Sequence, residues 1–164
     1  MNITFQGNPL TVEGTQLQVG DKAPDFSSVK TDLNSWSLSE VDGVKIISVV
    51  PSLDTGVCQI QTRKFSTEAK NLGGASVITI SLDLPFAQAR WAGEEGIDNM
   101  TIVSDYQNRE FALKYGLLIK ELKLLSRAVL VLDKDNTVKY VEYLKEITDE
   151  PDYSKAVAAA KALM

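Results

Sequence analysis

The chain has 164 residues, one cysteine and no histidine, with 17 Lys plus Arg against 22 Asp plus Glu. That length suits a single domain, residues 1–164, with a core large enough to need no disulfide or metal staple. The formal charge of −5 disfavours general binding to nucleic acid or anionic membranes, and the missing histidine removes every Ser-His-Asp and Cys-His catalytic design.

A single cysteine also removes an intrachain disulfide, a CxxC redox pair and a thiolate zinc site. Met1 leads directly into Asn2-Ile3-Thr4-Phe5, with no basic n-region or apolar h-region, and no apolar stretch approaches the ~20 residues that span a bilayer. The expected compartment is the reducing cytoplasm.

Ile3–Gln6 and Leu10–Glu13 read as a hairpin about a turn at Gly7-Asn8-Pro9. Lys45–Val50 is short, apolar and β-branched, as a strand buried on both faces is. Gln59 to about Leu72 reads as a helix, with Phe65, Ala69 and Leu72 on one face and Gly73-Gly74 ending it. Ser76–Leu82 is a second buried strand. Pro85 opens a second helix, which the pattern ends near Ala92 with Gly93 as the stop. Met100–Val103 reads as a strand and Gln107–Tyr115 as a helix closed by Gly116. Ala128–Asp133 and Thr137–Tyr143 flank a Lys134-Asp135-Asn136 turn and form an antiparallel hairpin. Asp152 to Leu163 is a terminal helix. The alternation implies an α/β fold with a mostly parallel sheet covered on both faces. The closing hairpin and last helix fit a thioredoxin-like arrangement, a central mixed sheet flanked by helices.

The loop Pro51-Ser52-Leu53-Asp54-Thr55-Gly56-Val57 leads from the first buried strand into Cys58 and the first helix. Loops at the carboxyl ends of parallel strands are where such folds place ligands. Cys58 falls in the first helical turn, among amides without intrahelical partners, and those dipoles favour an anion. A lone cysteine is ordinarily a small buried hydrophobe; its place after a strand–proline–loop argues for reactivity. Thr55 reads either as a helix N-cap or as a hydroxyl able to reach the sulfur or a bound oxygen. Pro51 on its own is a strand terminator, and Arg127 on its own a surface arginine at a strand end.

Pro51, Thr55 and Cys58 form P-x-x-x-T-x-x-C, which resembles the active-site signature of peroxiredoxins. The longer run Val50 to Cys58 is similar to the bacterial thiol peroxidase subfamily. Four more collinear segments share that likeness: Phe5-Gln6-Gly7-Asn8-Pro9, Asp83 to Gln88, Ser126-Arg127-Ala128-Val129 and Glu150-Pro151-Asp152-Tyr153. The resemblance implies a peroxidatic Cys58, with Arg127 beside its sulfur, Thr55 and Arg127 holding the peroxide, and Pro51 shielding the pocket. It implies a hydroperoxide substrate, thioredoxin or another thiol as reductant, and a homodimer. No metal, haem or flavin is implied.

The resemblance breaks at one position. The subfamily carries a resolving cysteine in the second helix, in a pattern like Q-x-R-[FW]-C-G, where this chain reads Gln88-Ala89-Arg90-Trp91-Ala92-Gly93. Ala92 therefore marks either a naturally one-cysteine member or a Cys-to-Ala variant. A competing reading from another class is a non-catalytic thioredoxin-fold thiol sensor or adaptor, which has no use for the Pro51, Thr55 and Arg127 set. Trp36, Trp91 and the tyrosines read as core, Arg63 and Arg90 as solvated or ion-paired charges, and Gly93-Glu94-Glu95-Gly96 as a solvated loop without metal-site spacing.

Overall fold

The computed structural model describes residues 2–164. Strands β1 (Asn2–Phe5) and β2 (Asn8–Glu13) form the expected antiparallel hairpin, but its turn is Gln6-Gly7. Both turn residues take positive φ, 49° and 82°, as a two-residue hairpin turn requires. Pro9 lies inside β2 opposite Thr4. With Phe5 and Asn8 closing the turn as a hydrogen-bonded pair, Pro9 sits in the next, non-bonded pair, where its missing N–H costs no ladder bond.

The main sheet runs in the order β10-β9-β5-β6-β7-β3-β4. Its centre is β5 (Val44–Val49), β6 (Ala75–Ser81) and β7 (Thr101–Ser104), paired in parallel. Antiparallel strands flank that centre. On one side lie β9 (Ala128–Leu132) and β10 (Val138–Tyr143), and on the other β3 (Ser27–Lys30) and β4 (Ser35–Ser37). The sheet is thus mixed rather than mostly parallel, because both flanks add antiparallel strands to a three-stranded parallel centre. Strands β3 and β4 carry the polar sequences SSVK and SWS, too short and too polar to show an apolar pattern. A small second sheet joins the N-terminal hairpin to β8 (Leu118–Ile119).

All six residues of β5 are buried, and its side chains divide between two cores. Ile47 and Val49 pack with Phe26, Phe111 and Tyr115 on one face. Ile46 packs with Phe65, Leu72, Val129, Ala156 and Ala160 on the other, under α1 (Gly56–Asn71) and α4 (Tyr153–Lys161). The expected stripe therefore faces this core: Phe65 is buried, Ala69 partly so, and Leu72, the C-cap just past α1, is buried with them.

Two helices differ from the periodicity. Helix α2 runs Pro85–Glu95, through Gly93, and stops at Gly96, which takes φ 66° as a left-handed cap. The segment Gly93-Glu94-Glu95 is accordingly helix, not loop. Helix α3 is only Glu110–Lys114. The Asp105 carboxylate accepts from the amides of Phe111 (3.2 Å) and Ala112 (2.9 Å), so α3 begins where this side chain can reach it.

Gly93→Ala should raise stability by about 0.4–1 kcal/mol, since a Cβ there meets nothing within 4 Å and the helix continues past it. Gly116→Ala should lower it by at least ~1 kcal/mol, because φ is 67° and the added carbon falls 2.5 Å from the Gln16 amide nitrogen. Urea denaturation of the two variants checks both signs.

Candidate active site

Strand β5 ends at Val49, Val50 donates its N–H to the Ile80 carbonyl (3.1 Å), and Pro51 has no N–H to continue the ladder. The chain turns away through Ser52–Thr55. Asp83, at the end of β6, staples that turn: it accepts from the Ser52 hydroxyl (2.7 Å), the Leu53 amide (2.8 Å) and the Ser81 hydroxyl (2.7 Å). Gln88 fixes the same corner, donating to Ser81 Oγ (3.0 Å) and the Val103 carbonyl (2.9 Å). The conspicuous Asp83 to Gln88 run thus holds the cysteine loop.

Thr55 occupies the N-cap position of α1, with φ −109° and ψ 151°, but its hydroxyl does not cap the helix. It donates to the Ser52 carbonyl (3.0 Å), which leaves its oxygen lone pairs free to accept. The first bond of α1 is from the Gln59 amide to the Thr55 carbonyl (3.1 Å), so the amides of Gly56, Val57 and Cys58 precede the helical ladder.

Cys58 is fully buried and its thiol is free. Arg127, the residue before β9, is 2% exposed, not a surface arginine. Its guanidinium makes three bonds: Nη2 to Cys58 Sγ (3.2 Å), Nη1 to Gln61 Oε1 (2.9 Å) and Nε to the Ile147 carbonyl (2.8 Å). Gln61 is itself buried and donates its amide to Ser48 Oγ (2.8 Å). The sulfur therefore sits under a planar cation whose orientation is set from two sides. A pocket of about 260 Å³ adjoins it, lined by Arg127 with Pro51, Thr55, Gly56 and Val57 of the cysteine loop and by Phe5, Gln6, Ile147 and Thr148; the buried Cys58 itself does not line it.

Pro51, Thr55, Cys58 and Arg127 are thus brought to one place. Ala92, on α2, is half-buried and packs against a cluster of Val50, Leu53, Cys58, Trp91 and Ile102. Trp36 and Trp91 are both buried core residues. Arg63 pairs with Glu95 (2.6 Å) and Arg90 with Asp54 (2.9 Å) and Glu94 (3.4 Å), all at least partly exposed, where such pairs contribute under ~1 kcal/mol. Among the described residues no group of His, Cys, Asp and Glu is placed to hold a metal.

Sequence reasoning missed Gln61 and Ile147. Gln61 lies three residues after Cys58, one helical turn on, and so faces the same side. That spacing was a usable signal. Ile147 contributes only its carbonyl, and no side-chain pattern announces a carbonyl.

Residues 18–157 match the family described as Redoxin. The thiol peroxidase of Streptococcus pneumoniae (strain ATCC BAA-255 / R6) is 56% identical over 98% of this chain and 99% of that protein. That of Bacillus subtilis (strain 168) is 52% identical over 99% and 98%. The chain belongs to the redoxin family, among the thiol peroxidases. A solved peroxiredoxin-like protein from Aquifex aeolicus is 40% identical, with a TM-score of 0.92 over 99% of this chain and 97% of that one. A thiol peroxidase from Chromobacterium violaceum shares the fold, with a TM-score of 0.90 over 98% and 95% of the two chains at 24% identity. No helix in the described residues is long and apolar enough to cross a membrane.

Gln61→Leu should destabilise the fold by about 1–3 kcal/mol, because it strips a buried acceptor from Arg127 and a donor from Ser48. A denaturation midpoint equal to that of the parent protein would contradict this network.

Proposed function

We propose that this redoxin reduces hydrogen peroxide and organic hydroperoxides through Cys58. The observation that carries the reading is the 3.2 Å contact between Cys58 Sγ and Nη2 of Arg127, a residue that also lines a pocket with Pro51 and Thr55. The thiolate attacks the terminal peroxide oxygen. An S–O bond forms as the O–O bond breaks, and the leaving oxygen takes up a proton and departs as water or alcohol. Sulfur gives up two electrons and becomes sulfenic acid. Arg127 supplies donors to the oxygens as charge develops on them, together with the uncapped amides of the first turn of α1. Thr55 Oγ, its proton committed to Ser52, accepts from the peroxide O–H. Pro51 keeps the entrance narrow and bulk water away from the product.

The second half of the cycle needs a thiol from outside the chain, since Ala92 stands at the resolving position and Cys58 is the only sulfhydryl. An external thiol displaces water from the sulfenic acid to form a mixed disulfide, and a second thiol releases Cys58. Thioredoxin or a small thiol fits this role. A cytoplasmic, reducing setting fits a free thiol that must be regenerated. The homodimer rests on the family resemblance, supported by Leu84 and Phe86, which stand 51% and 67% exposed at the start of α2. Residues 1–164 act as one domain, because the N-terminal hairpin supplies a pocket wall to the rest. The pocket that Pro51, Thr55 and Arg127 line beside the cysteine favours catalysis over the sensor or adaptor reading, which needs no cavity for a substrate.

One equivalent of hydroperoxide should convert Cys58 to a trappable sulfenic acid. Excess should drive it on to masses two and three oxygens higher, with no intrachain disulfide at any stage. Intact-mass spectrometry reads each step, and a protein that stays unmodified under excess peroxide would refute the peroxidase reading. Ala92→Cys should add a disulfide with Cys58 and thioredoxin-dependent turnover if Ala92 replaces a resolving cysteine. Small thiols alone sustaining the parent while Ala92→Cys changes nothing would instead favour a one-cysteine cycle.

A further inference from the structure

One carboxylate outside the site binds the two segments that wall it. Glu146 follows β10 and accepts hydrogen bonds from five donors. Its Oε1 takes the Thr4 hydroxyl (2.8 Å) and the Gly7 amide (2.9 Å), and its Oε2 takes the Gln6 amide (3.2 Å), the Thr148 amide (2.9 Å) and the Thr148 hydroxyl (2.6 Å). Three of those donors belong to the N-terminal hairpin and two to the turn that carries Ile147. The backbone repeats the clamp: Thr4 donates to the Lys145 carbonyl (2.7 Å), and Ile147 donates to the Thr4 carbonyl (2.9 Å).

Both clamped segments lead into the pocket. Ile147 sits between Glu146 and the Thr148 that Glu146 binds, and its carbonyl anchors Arg127 Nε at 2.8 Å. Phe5 and Gln6, at the hairpin tip, line the same pocket as Pro51 and Arg127. We propose that Glu146 is a positioning residue for the peroxide reaction of Cys58, setting Arg127 through the Ile147 carbonyl and the pocket wall through the hairpin tip. This rests on the peroxidase reading above.

The chemistry requires a carboxylate. All five partners donate, so both oxygens must accept, and an amide cannot replace them because its NH₂ would face N–H or O–H donors. The same bonds, the Thr148 hydroxyl first and then the Gly7 and Thr148 amides, pull the Glu146 carboxyl down to about 2, so the clamp stays closed across the neutral range. Glu121 provides an internal comparison. It also binds the hairpin, accepting from the Thr11 amide with both oxygens (3.1 and 3.0 Å), but it contacts neither the Ile147 turn nor the pocket.

The test is single-turnover oxidation of the full chain by hydrogen peroxide and by cumene hydroperoxide, followed by tryptophan fluorescence, since Trp91 shares a cluster with Cys58. Glu146→Gln should slow hydrogen peroxide about tenfold or more through the misplaced Arg127. It should also change the ratio of the two rate constants, because only the bulky substrate reaches the hairpin wall. Glu121→Gln should leave both rates unchanged. Rates and ratio within twofold of the parent in Glu146→Gln would overturn the proposal and reduce Glu146 to a structural staple. An equal slowing in Glu121→Gln would overturn it too. If Glu146→Gln does not fold, Thr4→Val, which removes one of the five bonds and touches no pocket wall, decides in the same way: a slower rate with an altered ratio supports the proposal, and parent values overturn it. A parent protein that itself fails to react with peroxide counts against the peroxidase reading, whatever the variants do.

Discussion

A guanidinium taken out of water must find partners for its N–H groups, or the fold pays several kcal/mol for leaving them bare. Arg127 meets that demand with two neutral oxygens, from Gln61 and Ile147, and with the sulfur of Cys58. None of the oxygens carries a charge. The Glu150 carboxylate feels the Arg127 charge from a distance, but the group in contact with the guanidinium besides those oxygens is the sulfur, where the unladdered amides of the first turn of α1 already favour an anion. Burial, helix start and guanidinium act on one atom, and the rest of the molecule holds them in place.

That arrangement gathers segments far apart in the chain. Cys58 and Gln61 come from α1, Arg127 from the start of β9, the Ile147 carbonyl from the turn after β10, and the pocket wall from the hairpin at residues 5 and 6. The sheet explains how they meet. Strand β9 pairs with β5 so that Ala128 lies opposite Val49, which sets Arg127 beside the loop that leaves β5. Asp83 at the end of β6 fixes that loop from the other side. Each anchor is held by hydrogen bonds, the loop by Asp83 and the guanidinium by Gln61 and the Ile147 carbonyl. The pocket inherits that rigidity, as tight orientation of reacting groups requires.

Much of this was legible in the residues. The buried strands β5, β6 and β9 announce themselves as short, largely aliphatic runs, and Cys58 announces itself as the lone thiol after a strand and a proline. Strands β3, β4 and β8 were not legible, since two to four residues carry no usable period and two of the three are polar. Gly93 misled because glycine inside a helix and glycine after one look alike in sequence. Only the left-handed backbone of Gly96 separates them. Arg127 reads as a surface charge until a strand register buries it, and only the family resemblance pointed elsewhere. Gln61 had a helical-spacing signal. Glu146 had none, because its five donors come from both ends of the chain and all are backbone amides or short hydroxyls.

The site depends on the orientation of the Arg127 guanidinium against Cys58, and substituting Lys tests it most directly. Lysine keeps the charge but loses the planar fork that bonds Gln61, Ile147 and the sulfur together. In stopped-flow single turnover with hydrogen peroxide, Arg127→Lys should react roughly 10²–10³-fold more slowly than the parent, the range expected when one oriented transition-state donor is lost. A folded Arg127→Lys protein that reacts at the parent rate would contradict it.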